Sequence, residues 1–345
     1  MSVVLRVEEP GVFTTVQDLG RPGHRLAGVP EGGAMDRFAL VAANLLVGNP
    51  EGAAALECTM AGPVLVADAP CLVAVTGGDF QPAVNEQEVA SWTSLFLARG
   101  DRLTVKERRS GARCYIAIGG GIKAGRWLGS ASTYLLIARG GIEGRPLKKK
   151  DVIETAEEPP RPLVAGRQLP ASARPPYEDA PTLRAVTGPH WSRVSRRSRA
   201  DLFGGEYEVS NESDRMGYRL EGPGLEMRGK DILSFGVAFG CLQVPASGKP
   251  ILLMADHQTA GGYPIVAAVA RADLPLAAQV LPGAKLRFSE IGVGAAQDAW
   301  RRLQAGLDLL RKRPSEPRAA PPRRRAAAAP ATAPTASGRA GRGRG

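Results

Sequence analysis

From Ala255 to Pro264 the chain reads ADHQTAGGYP. An acid, a histidine, an amide, a hydroxyl and a phenol fall within ten residues. Such groups can orient a small polar substrate and move its proton. Asp256 is the candidate base or orienting acid, with Gln258 beside it. Thr259 and Tyr263 are candidate hydrogen-bond partners for an amide or a carboxylate. The apolar run Ile251 to Met254 makes the stretch a loop after a strand, where binding groups tend to sit on rigid β scaffolds. Asp, Thr, Gly-Gly and Pro264 are also ordinary turn residues, so the same letters serve a bare turn.

Two further polar clusters stand out. Thr14 to Arg21 and then Gly28 to Arg37 form a glycine-rich approach to a helical pattern. Asp36 can cap that helix, or the loop amides with Asp36 and Arg37 can surround an anionic ligand. Ser213 to Arg219 carries Asp214-Arg215, readable as a charged turn or as an arginine poised for a carboxylate or phosphate. Gln243 and Lys249, in QVPASGKP, precede the opening stretch. The catalytic candidates are therefore Asp256, Arg215 and Gln258. The substrate-binding candidates are Arg37, Asp36, Asp214, Gln243, Thr259, Tyr263 and Lys249. Replacing Arg215 by alanine is expected to abolish activity without unfolding the protein.

Several chemistries lack their motif. Gly248-Lys249 is followed by Pro250 and has no upstream glycine, so there is no phosphate-binding GxxxxGK[ST] loop. Gly119-Gly120-Gly121 reads as a turn, not a dinucleotide fingerprint. There is no GxSxG or HExxH. His24, His190 and His257 lie far apart, so no metal centre is expected. Cys58, Cys71, Cys114 and Cys241 form no CxxC pair and read as reduced, buried thiols.

The elements that must position these groups read mainly as β. Strands are expected at Val3 to Val7, Val64 to Val66, Cys71 to Val75, Ser94 to Ala98, Leu103 to Val105 and Cys114 to Ile118. Gly77-Gly78 is placed in a turn between them. A helix is expected from Asp36 to Leu46 and another from about Ala295 to Leu310. Strands in the second half are expected at Tyr207 to Val209, Leu225 to Met227, Cys241 to Val244, Ile251 to Met254, Ile265 to Val269 and Lys285 to Phe288. The expected division is a β domain over 1–156, a linker over 157–182, a second β domain over 183–310 and a disordered Ala/Pro/Arg/Gly-rich tail over 311–345. Three short matches between the halves (Asp36-Arg37 with Asp214-Arg215, Leu56-Glu57 with Leu220-Glu221, and LARGDRLTV with VLPGAKLRF) suggest two related β domains.

Composition agrees with cores of this kind: 345 residues, 43% hydrophobic, with 42 glycines and 28 prolines favouring short strands and turns. The net charge of +11 is concentrated in the tail, where ten basic residues against Glu316 account for nine of the eleven charges. The body therefore gives no reason to expect specific nucleic-acid binding. No apolar run of ~18 residues exists, so no membrane span is expected. MSVVLRVEEPG lacks the layout of a secretion signal, which points to the cytoplasm.

The segments PGVFTTVQDLGRPGHRLAGVPEGGAMDRFAL, ANLLVGNPEGAAALECTMAGP, LGSASTY, GRPL, SDRMGYRLEGP and QVPASGKPILLMADHQTAGGYP resemble the biotin-dependent carboxyltransferase / allophanate hydrolase subunit 2 family, which includes the C-type component of 5-oxoprolinase. The resemblance implies two cyclophilin-like β-barrel domains with a few short helices. It implies two partners: an allophanate hydrolase subunit 1-like chain, the B-type component of 5-oxoprolinase, and a LamB/YcsF-like chain, its A-type component. Together these open 5-oxoproline to glutamate with ATP, whose site is shared with the partner chains. The alternatives are a carboxyltransferase component acting on urea or another amide, with biotin carried by another protein, and a non-catalytic regulator that binds a kinase-inhibitor partner. The absence of a biotinyl-lysine motif favours the oxoprolinase. In the family pattern D-x-Q-T-x-G-G-Y-P, His257 occupies a variable position.

Overall fold

A computed structural model describes residues 3–106, 108–158, 165–229 and 232–311. The expected tail lies outside the described residues, save Arg311.

The first half is built from two antiparallel sheets with a shared core. One runs in the order Val152–Glu154, Val3–Glu9, Val64–Ala67, Arg102–Thr104, Ala83–Val84, Gln87–Glu88. The other runs Phe13–Gln17, Ala55–Thr59, Ser110–Ile118, Cys71–Asp79, Ser94–Leu97. Alternation along each strand sends residues to opposite faces. Cys114, Ile116 and Ile118 pack with Leu5 and Leu65 between the sheets. Tyr115 and Ala117 point the other way, into a second apolar cluster with the helix α1, Arg37–Leu46. Covering both faces explains why Cys71–Asp79 is buried almost throughout. Gly77-Gly78 lies inside this strand rather than in the expected turn. Gly77 has φ +93°, and a Cβ there would stand 2.6 Å from the Arg113 carbonyl oxygen, so only glycine lets the strands approach at this irregular register.

The second half is a closed seven-stranded barrel: Thr182–Thr187, Ile265–Val269, Cys241–Gln243, Ile251–Leu253, Gly217–Glu221, Glu206–Val209, Lys285–Glu290. A parallel pairing of Thr182–Thr187 with Lys285–Glu290 closes it. The helix α2, Arg196–Gly204, packs on the closing strand, and the short helix α3, Leu274–Ala277, follows Ile265–Val269. Leu225 to Met227, expected as a strand, forms none; Met227 makes a single bridge to Val194. Pro223 and the flanking glycines prevent a longer ladder there.

The halves interlock. Met35, before α1, is fully buried in the barrel's core cluster. The last helix α4, Val293–Arg311, returns to the first half, burying Leu307 and Leu310 with the α1 residues. Residues 165–181, within the expected linker, are anchored at points: Leu169 is fully buried and Gln168 bridges to Thr93. Of the matched segments, Leu56-Glu57 and Leu220-Glu221 both lie in strands, but Asp36 precedes a helix whereas Asp214 sits in a turn. All four cysteines are buried and free, and burial pushes the Cys71 thiol up to about 12. No helix of the described residues is long and apolar enough to cross a membrane.

Candidate active site at the seam between the halves

Two paired strands of the barrel carry the first two groups. Gly217–Glu221 pairs with Ile251–Leu253, and backbone bonds extend the ladder beyond it, Met254 N–H to Met216 O at 2.9 Å and Asp256 N–H to Arg215 O at 2.8 Å. The extension sets Arg215 against Asp256. Its Nε donates to Asp256 Oδ2 at 2.8 Å and its Nη2 to Asp256 Oδ1 at 3.3 Å. The same guanidinium reaches across the seam, where Nη1 binds Glu57 Oε1 and Nη2 donates to the Gly33 carbonyl at 2.6 Å. Arg215 is 11% exposed and Glu57 1%. Burial pulls the Arg215 pKa down, but Asp256 and Glu57 outweigh it and the net shift is upward.

Glu57 belongs to Ala55–Thr59, opposite Tyr115 in the register. Leu56 and Cys58 face the inter-sheet core, so Glu57 must face the barrel. Its Oε2 accepts from Tyr115 Oη at 2.7 Å and from the Met35 N–H at 2.9 Å. Tyr115 Oη accepts in turn from the Asp36 N–H at 2.8 Å. Asp36 caps α1, its Oδ1 accepting from the Ala39 N–H at 2.9 Å. Its Oδ2 accepts from Tyr177 Oη at 2.5 Å and Gln279 Nε2 at 3.0 Å. Burial raises the Asp36 pKa to about 6. Gln279 also crosses the seam, accepting from the Ala112 and Arg113 N–H groups at 3.0 and 2.9 Å. A continuous polar chain thus runs Asp256–Arg215–Glu57–Tyr115–Asp36–Gln279.

This chain opens on a cleft of about 580 Å³. Arg113, Arg215, Asp256, Asp214, Tyr134 and Tyr218 line it together with apolar walls that include Phe13, Leu135, Leu136 and Met216. Behind Tyr134 lies Arg21, fully buried. Its guanidinium stands 5.2 Å from the Trp127 ring and 5.5 Å from the Tyr134 ring, and its Nη2 donates to the Ser132 carbonyl at 2.7 Å. Asp18 ties the neighbouring loop, accepting from Ser130 and Ser132 hydroxyls at 2.6 Å each.

The sequence-derived candidates divide between places. Arg215 and Asp256 meet in the cleft, with Asp214 at its edge capping a turn through Met216 N–H at 2.8 Å. Asp36 is fully buried, with both carboxylate oxygens taken inside the protein. Arg37 lies against Glu31, the Gly32 carbonyl and the Phe239 ring. Gln258 Nε2 donates to Gln243 Oε1 at 3.0 Å, a pair separate from the cleft lining. The Thr259 carbonyl accepts from Val237 N–H at 3.2 Å. Lys249 pairs with Glu221 at 2.5 Å on the surface. Tyr263, half-exposed, lines a second hollow of about 810 Å³ at the barrel end, with Arg193, Arg228 and Ser247. His257 is buried, its Nδ1 2.6 Å from the Gln258 carbonyl, and burial lowers its pKa. Replacing Arg215 by alanine would leave the buried Glu57 and Asp256 carboxylates without their cation, so that substitution is expected to weaken the fold as well as the site.

The sequence gives no site role to Glu57, Tyr115, Arg113, Arg21 or Gln279, although Arg21 ends the first polar cluster. The first three carried a signal, a polar residue at alternate positions inside the apolar strands ALECT and ARCYIAI. Among the described residues no acid–histidine–cysteine cluster could hold a metal.

Residues 27–290 match the family described as carboxyltransferase domain, subdomain A and B. The chain is 36% identical over 299 residues to the C subunit of 5-oxoprolinase from Escherichia coli K12, covering 86% of this chain and 94% of that protein. It is 35% identical to the C subunit of 5-oxoprolinase from Haemophilus influenzae over the same shares. The crystal structure of the K. lactis urea amidolyase superposes with a TM-score of 0.84 at 28% identity, over 89% of this chain and 20% of that one.

Proposed function

Because the chain belongs to the carboxyltransferase-domain family of subdomains A and B, we propose that it is the C-type component of an ATP-dependent 5-oxoprolinase. It acts in the cytoplasm with an allophanate hydrolase subunit 1-like (B-type) chain and a LamB/YcsF-like (A-type) chain. The carrying observation is the likeness to the 5-oxoprolinase C subunits along nearly the whole of those proteins.

Opening 5-oxoproline breaks an amide whose resonance makes the carbonyl a poor electrophile. The seam cleft offers groups suited to a lactam. Asp256 Oδ1 holds only the longer of its two bonds to Arg215, so it can accept the ring N–H and orient it, or take a proton from an attacking water. Arg215, anchored by Glu57 and the Gly33 carbonyl, fixes Asp256 and sets positive charge beside the reacting carbonyl. The walls exclude water from the ring's methylene carbons.

The cleft does not fit a triphosphate. Its cations are Arg113 and Arg215, and two carboxylates already hold Arg215. The phosphates of ATP therefore fall to the partner chains.

The test is reconstitution. The chain is co-expressed with both partners, and glutamate release from 5-oxoproline is followed with and without ATP. ATP-dependent glutamate that vanishes when this chain is omitted supports the reading. A well-formed complex that releases none overturns it and turns attention to urea as carboxyl acceptor.

A further inference from the structure

Arg113 differs from the other buried arginine of the cleft. It projects from Ser110–Ile118 on the same face as Tyr115 and is 7% exposed. Its Nη1 donates to Tyr218 Oη at 2.9 Å and to the Ala278 carbonyl at 2.5 Å, both neutral acceptors. Its Nε has no partner among the described residues. No carboxylate among them forms an ion pair with it, whereas Arg215 has two. A buried guanidinium without a direct counter-ion is costly unless an anion reaches it. Here the cation lies in the wall of a cleft large enough for a small molecule and otherwise mostly apolar.

We propose that Arg113 is the carboxylate-recognising residue of the seam cleft, which selects small ring compounds bearing one carboxylate. The guanidinium takes the carboxylate, and the apolar walls, Phe13, Leu135, Leu136, Met216 and Val280 among them, take the ring carbons. Asp256 remains within the same cleft for a ring N–H. A ligand without a carbon skeleton or a carboxylate, such as urea, uses neither feature. Arg113 and the walls thus set specificity within the family's shared architecture. The inference deepens the 5-oxoprolinase reading and rests on it for the lactam, but not for the carboxylate.

The assembled complex is tested with four probes: 5-oxoproline, 2-pyrrolidone (the lactam without its carboxylate), cyclopentanecarboxylate (the carboxylate without its lactam) and cyclopentanecarboxamide. Binding is read by calorimetry and turnover by ring opening. In the unaltered complex cyclopentanecarboxylate binds about 10- to 100-fold more tightly than the carboxamide, the scale of a charge-assisted hydrogen bond. This comparison needs no variant. Arg113→Gln then erases that preference and raises KM for 5-oxoproline by a similar factor, while 2-pyrrolidone turnover changes less than about threefold. Arg113→Lys, which keeps the charge, restores part of the preference and guards against a variant that fails to fold. Equal binding of carboxylate and carboxamide overturns the assignment, as does an equal loss for 5-oxoproline and 2-pyrrolidone. Arg113-dependent cyclopentanecarboxylate binding in a complex that releases no glutamate keeps the carboxylate site and removes the oxoprolinase reading. Glutamate release insensitive to Arg113 does the reverse.

Discussion

Two of the molecule's hollows differ in character. The one at the barrel end is the larger, about 810 Å³, and its rim includes the half-exposed Tyr263 and several glycines. The one at the seam is smaller, about 580 Å³, but its wall carries two arginines and an aspartate that are almost wholly removed from water. Both draw on segments that carry the family resemblance. Charge–charge interactions strengthen as water is excluded, which is why the proposed chemistry is placed at the seam. Chemistry follows desolvated charge held by partners, not volume.

The largest way to break this contrast is Arg215→Ala. It leaves Glu57 and Asp256 buried without their cation, and unfolding in urea should show a loss of about 3–5 kcal/mol. Arg215→Lys keeps a charge but not the forked geometry. In the reconstituted complex glutamate release should fall about 10²- to 10³-fold. An unchanged rate would remove the seam from the reaction.

Asp36 offers a pH test. Its carboxyl is raised to about 6 in the fold, from 3.8. Between those values the folded chain binds more protons than the unfolded one, so this group's contribution is fully present below about pH 4 and is lost as pH rises through 6. The stability of the wild type relative to Asp36→Asn should therefore fall by up to about 3 kcal/mol across that window. A flat difference in denaturation midpoints would show that the seam chain does not hold Asp36 as described.

Tyr115→Phe cuts the same chain at its middle, leaving the Asp36 N–H unpaired. The expected cost is about 1–3 kcal/mol by chemical denaturation. At the barrel end, Tyr263→Ala should change stability by less than about 0.5 kcal/mol, as exposed substitutions do, and glutamate release by little. A tenfold drop in release with Tyr263→Ala would reverse the ranking of the two hollows.

Much of this was legible in the chain itself. Periodicity located α1 to within a residue, with Asp36 as its cap, and most of the longer strands. The ADHQTAGGYP stretch does follow a strand, and Asp214-Arg215 does mark a turn beside the cleft. The Ala55–Thr59 strand was overlooked because Glu57 interrupts its apolar pattern, and that interruption is what faces the seam. Gly77-Gly78 looked like a turn because glycine marks close backbone approach as readily as reversal.

Local pattern determined which segments became strands and helices and which residues were candidates, because both depend on neighbours a few positions apart. It also fixed that Asp256 would stand at the end of a strand. Only the tertiary structure decided that Asp256 would share Arg215 with Glu57, 158 positions away from that arginine, and that Gln258, Thr259 and Tyr263 would part from it. Burial and charge pairing depend on which faces meet, and that meeting was decided by Met35 entering the barrel core and α4 returning to α1.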